Sequence, residues 1–83
     1  MTREDVLTLV KRHLSEELEI DEAEVTESTR FKEDLDADSL DLYELVMELE
    51  DRYGISVSEE QAARIKTVGD AVEFVLAHAP TAG

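Results

Sequence analysis

Apolar residues recur at helical spacing in several stretches of this chain. Val6, Leu7, Val10 and Leu14 form one stripe, which Leu18 extends. Thr2 with Asp5 three residues later is a carboxylate form of the reciprocal helix cap. The spacing predicts a first helix ending between Ser15 and Leu18. A second runs from near Asp38 to about Tyr53, where Gly54 supplies the C-cap. Ser58 with Gln61 caps a short third helix, and Thr67 with Asp70 caps a fourth. In the fourth, Val68, Ala71, Val72, Val75 and Ala79 share a face, Pro80 stops the helix, and residues 80–83 form a flexible tail. No stretch alternates convincingly with period 2. Between the first two helices lies the polar run "EELEIDEAEVTESTRFKED". Ile20, Val25 and Phe31 punctuate it without a regular period, which predicts a loop pinned to the core by those three. A loop of this length is often functional. The predicted fold is all-α: a four-helix bundle, up-and-down in style, with three longer helices, a short third one, and a single domain over residues 1–79.

Composition narrows the function. Eighty-three residues allow one small core. With 42% hydrophobic residues, 5% aromatic and no Trp, that core must be mostly aliphatic. The absence of Cys excludes disulfides and thiolate metal sites. No apolar run approaches a membrane span, and "MTREDVLTLVKRHL" lacks a secretory hydrophobic region, so the cytoplasm is the expected location. Twenty-two Asp and Glu against eight Lys and Arg give a net charge of −14. Such a surface repels nucleic acid and anionic membranes and attracts proteins with basic patches.

The stretch "DLDADSLDLYEL" at residues 34–45 concentrates the candidate chemistry. Asp34, Asp36 and Asp38 match positions 1, 3 and 5 of a calcium loop. Ser39 then stands where such a loop needs Gly, and Leu45 where it needs Glu, so no metal site is expected. Catalysis by Ser39 needs a base, and the two histidines, His13 and His78, lie in other helices and in no motif; they read as surface residues. Projection of the second helix at 100° per residue gives a clearer result. Leu42, Leu45, Val46, Leu49 and Tyr53 form a core stripe. Leu40, Tyr43 and Met47 form a second apolar stripe facing away from it, flanked by Asp41, Glu44, Glu48, Glu50 and Asp51. Six acidic and no basic residues occur from Asp38 through Asp51. An outward apolar stripe inside one sign of charge reads as a protein-docking face made of Leu40, Asp41, Tyr43, Glu44, Met47, Glu48 and Asp51.

The segment "FKEDLDADSLDLYELVMELEDRYGI" resembles the acyl carrier proteins of dissociated fatty-acid synthases. The hallmark is Asp38-Ser39-Leu40 at the start of the second helix, and the similarity extends from the first helix to "TVGDAVEFVLAH". Asp36 departs from the pattern, since the family usually has Gly there. The resemblance implies a carrier and not an enzyme. It implies that Ser39, flanked by Asp38 and Leu40, carries a 4′-phosphopantetheine arm delivered from coenzyme A by a holo-carrier synthase, and that the arm's thiol holds growing acyl chains as thioesters during fatty-acid biosynthesis. The partners implied are that pantetheinyl transferase and the synthase enzymes, docking through basic patches on a monomeric carrier. Such carriers hide the acyl chain between helices. The residues expected to line that space are Leu42, Leu45, Val46, Leu49, Val57, Ile65, Val68, Val72 and Val75, with Ile65 at the mouth. Two other readings stay open: a carrier of polyketide or other specialised acyl groups, and an acidic interaction module whose Ser39 is unmodified.

Overall fold

The computed structural model describes residues 2–79. Four α-helices follow one another: α1 at Arg3–Leu18, α2 at Ser39–Tyr53, α3 at Glu59–Arg64 and α4 at Val68–His78. A one-turn 3-10 helix at Glu22–Glu24 interrupts the long first loop. Among the described residues there is no strand, only an isolated antiparallel bridge between Arg30 and Thr67. The all-α, four-helix architecture is therefore as expected. Pro80 and the tail fall outside the described residues.

Each α-helix begins at a reciprocal cap. Thr2, Asp38, Ser58 and Thr67 accept the backbone N–H three residues on, and Asp5, Asp41, Gln61 and Asp70 accept in return from the cap's own N–H. Such pairs satisfy donors that the helix cannot. The C-terminal ends differ in legibility. α2 closes on Gly54 with φ of 64°, whereas α1 closes on Glu19, a non-glycine residue held at φ of 55°.

The core is aliphatic apart from Phe31. Val6, Val10 and Leu14 of α1 meet Val68, Ala71, Val72 and Val75 of α4, and Leu45, Val46 and Leu49 of α2 complete it. Fully burying one such side chain contributes about 1.5–3 kcal/mol. Leu7, Leu18, Leu42, Tyr53 and Ala79 sit at its margin, partly buried. α3 buries no residue of its own and is held by the buried Ile55 before it and Ile65 after it.

The first loop is sewn down by backbone bonds as well as by side chains. Val25 and Phe31 are buried as expected, but Ile20 is only half-buried. The loop lies along the junction of α3 and α4: Phe31 N–H donates to Lys66 O at 3.0 Å, Val68 N–H to Thr29 O at 2.9 Å, and Gly69 N–H to Glu27 O at 2.8 Å. Arg3 on α1 pairs with Glu27 and anchors the same segment from the other side. Next comes a tight turn, in which Ala37 N–H reaches Phe31 O at 2.9 Å and Asp36 adopts φ of 56°. This left-handed conformation is one that Gly takes without cost and Asp tolerates better than most side chains.

Gly69 lies where the loop approaches α4 most closely. A Cβ there would stand 2.9 Å from Glu27 O, the carbonyl that accepts its N–H. Alanine normally exceeds glycine within a helix by about 1 kcal/mol. Here Gly69→Ala is expected to destabilise the fold by roughly 1–3 kcal/mol, because backbone must move to admit the methyl. Urea unfolding measures this, and an unchanged or raised midpoint contradicts the packing described.

Candidate functional site

The start of α2 is built from three short-range devices. The Phe31–Ala37 turn delivers the chain with Ala37 buried. Asp38 caps the helix: its Oδ1 accepts from Asp41 N–H at 3.0 Å, while Asp41 Oδ2 accepts from Asp38 N–H at 3.2 Å. Ser39 is then fixed as the first helical residue, exposed to solvent. Within the first turn, the N–H groups of Ser39 and Leu40 have no carbonyl four residues back in the helix to reach.

Ser39 borders a slot of about 730 Å³ between α2 and α3. From α2 the slot takes Ser39, Leu42, Tyr43 and Val46, and from α3 and its exit Glu59, Ala62, Ala63, Ile65, Lys66 and Thr67. The loop adds Arg30, Phe31, Lys32 and Glu33, and α4 adds Asp70. Of the nine residues expected to line an acyl space, Leu42, Val46 and Ile65 line this slot. Leu45, Leu49, Val68, Val72 and Val75 do not, because they are closed in the helix–helix core at 0–1% exposure. Val57 packs partly buried against that core and is not part of the lining. Phe31, Ala62 and Ala63 are lining residues that helical periodicity did not single out. The alanines have no pattern in sequence, and Phe31 read only as an anchor.

The outward stripe of α2 is present. Leu40 is 66% exposed, Tyr43 46% and Met47 61%. Not all of its acidic flank faces solvent. Glu50 Oε2 accepts Val57 N–H at 2.8 Å and fixes the entry to α3. Asp41, partly buried, and Glu44, still exposed, lie beside Glu17 of α1, all three presenting carboxylate oxygens within 4.8 Å of one another. His13 is also a correction to its surface reading: its Nε2 is enclosed without a hydrogen-bond partner among the described residues, 3.8 Å from Glu17 Oε2. Neither histidine lines the slot with Ser39. The aspartates of the apparent calcium loop do not converge either. Asp34 accepts from the Arg30 guanidinium, which holds its carboxyl below the usual range, and Asp38 is occupied as the cap.

Crowding of like charge at the α1–α2 seam raises the Glu17 carboxyl to about 7, first through hydrogen bonding with Glu44, then through desolvation and repulsion from Glu44 and Asp41. The folded value lies above the ordinary 4.5, so folding favours the protonated form. That contribution is complete below about pH 4.5 and is lost as pH rises through about 7. Thermal unfolding is expected to show the stability difference between Glu17→Gln and the parent shifting in favour of the variant as pH rises from about 5 to about 8. A difference that stays constant over this range contradicts a shared proton at the seam.

These features define a small four-helix domain with an exposed serine at a capped helix start, and comparison with known proteins gives its class. Residues 8–75 match the family described as phosphopantetheine attachment site. The acyl carrier protein of Rubrobacter xylanophilus is 46% identical over 78 residues, covering 94% of this chain and 96% of that one. The acyl carrier protein of Lactobacillus acidophilus is 41% identical over 78 residues, covering 94% and 98%. A solved structure of the acyl carrier protein from Enterococcus faecalis superposes with a TM-score of 0.80 at 43% identity, covering 93% of this chain and 98% of that one. The chain belongs to the acyl carrier protein family. It is a carrier and not a catalyst, with a covalent 4′-phosphopantetheine as prosthetic group and a role in fatty-acid synthesis alongside the synthase enzymes. An unmodified interaction module is not favoured.

Proposed function

We propose that Ser39 is the attachment residue and that the chain presents growing acyl groups from it to fatty-acid synthase enzymes in the cytoplasm, as a monomer. The position of Ser39 carries this reading: it is exposed, stands at the first position of a capped helix, and borders the slot. The surroundings suit a phosphodiester. The free N–H groups of a first turn favour an anionic oxygen, and Lys32 and Lys66 bring cationic side chains to the slot in an otherwise acidic protein. When bound, the group supplies a thiol on which an acyl chain is held as a thioester. The chain's own residues position the serine and offer Phe31, Leu42, Val46 and Ile65 as apolar surface for the acyl chain. No helix among the described residues is long and apolar enough to cross a membrane.

The docking face follows from Leu40, Tyr43 and Met47, with Glu44, Glu48 and Asp51 beside them and Asp41 shared with the cap. Weak, rapid exchange among several partners calls for charge to speed encounter and a small apolar stripe to hold contact. Electrospray mass measurement after incubation with coenzyme A, Mg²⁺ and a pantetheinyl transferase tests both points. One phosphopantetheine is expected per chain, with none on Ser39→Ala. Glu44→Lys is expected to slow the transfer more than Glu73→Lys, a control on the exposed flank of α4. Modification of Ser39→Ala contradicts the assignment, and equal slowing by both charge reversals contradicts a docking face on α2.

A further inference from the structure

α3 is six residues long, and a helix that short does not persist without tertiary support. It buries none of its own side chains, yet it forms one wall of the slot. Glu50 fixes the loop before it and Ile65 anchors the residue after it. Between these two points, one side-chain hydrogen bond among the described residues ties the helix to α2. The Tyr43 hydroxyl donates to Glu59 Oε1 at 3.1 Å. Both residues line the slot, one from each wall, so the bond spans it from wall to wall. Its acceptor is a carboxylate oxygen, and the bond lies at the solvent-exposed side of the slot. The same contact raises the phenol's pKa above its ordinary value.

We propose that the Tyr43–Glu59 hydrogen bond is a strap that holds α3 against α2 and sets how often the slot opens beside Ser39. Tyr43 is then a positioning residue as well as part of the outward apolar stripe. Its ring accounts for the stripe, and its hydroxyl for the strap. The strap rests on the reading of the slot as the place of the acyl chain, and the two are separable. Opening of α3 is a local event with its own equilibrium, readable at single amides.

The test compares the parent with Tyr43→Phe, Glu59→Ala and the double variant, as holo protein and loaded with either an acetyl or an octanoyl group. Tyr43→Phe keeps the ring and removes only the donor. Exchange of the Ala62 and Ile65 amides, which bond to Ser58 O and Ala62 O, is expected to accelerate roughly two- to tenfold in either single variant, the range for loss of one hydrogen bond. The double variant is expected to add little to either single one. Amides of α1 and α4 are expected to stay unchanged. Attack of hydroxylamine on the octanoyl thioester is expected to accelerate by a similar factor, and attack on the acetyl thioester is not. Unchanged exchange in α3 overturns the strap. So does faster exchange with additive effects of the two single variants. If octanoyl and acetyl thioesters react equally in the parent, the slot does not shelter the chain. That failure belongs to the slot reading, and α3 exchange still decides the strap.

Discussion

The reciprocal hydrogen bonds between Asp38 and Asp41 fix the point at which a turn becomes a helix, and the site depends on that point. One residue earlier, the chain is buried at Ala37. One residue later, Ser39 stands exposed at the slot. Leu45, Val46 and Leu49, buried in the core, hold the rest of α2 in register and so keep Leu40, Tyr43 and Met47 outward. The cap fixes the first turn on that frame, and with it the place of Ser39.

Charge in this protein is arranged locally as well as in bulk. The net charge of −14 weakens any compact state by self-repulsion. Two of the eight cations brace the fold: Arg3 joins α1 to the loop through Glu27, and Arg30 braces the turn before α2 through Glu33 and Asp34. At the α1–α2 seam, where Glu17 meets Asp41 and Glu44 with His13 beside it, the crowding raises the Glu17 carboxyl to about 7. Exposed ion pairs of this kind stabilise little one by one. Their effect is to keep the loop in one path over the end of α4, which brings Phe31 to the slot.

Much of the fold was legible because its punctuation is local. Four caps and one C-terminal glycine sit at fixed offsets, and a 3.6-residue period marks the buried faces of α1, α2 and α4. The outward stripe of α2 followed from the same period. What stayed hidden depends on pieces distant in sequence. The slot forms where α2, α3 and the loop approach one another, so Ala62, Ala63 and the dual role of Phe31 carry no sequence signal. Valines facing α1 look the same in a helical projection as valines facing a cavity, so the pattern could not separate Val68, Val72 and Val75, closed in the core, from the residues that line the open slot. The Glu17, Asp41 and Glu44 cluster joins two helices, and nothing in either alone reveals it. Asp36 is different: its left-handed φ follows from the turn that Phe31 and Ala37 close, and a single aspartate does not announce that turn.

The most direct test of this account separates the geometry of the cap from its charge. Asparagine caps helices as well as aspartate, and alanine does not. Amide exchange at Asp41 and the rate of phosphopantetheine transfer to Ser39 are measured together in Asp38→Asn and Asp38→Ala. The account predicts near-native exchange and near-native transfer for Asp38→Asn. For Asp38→Ala it predicts exchange at Asp41 faster by roughly two- to thirtyfold, with transfer slowed in parallel. Transfer lost in Asp38→Asn while the first turn stays protected, or kept in Asp38→Ala while that turn frays, would contradict it.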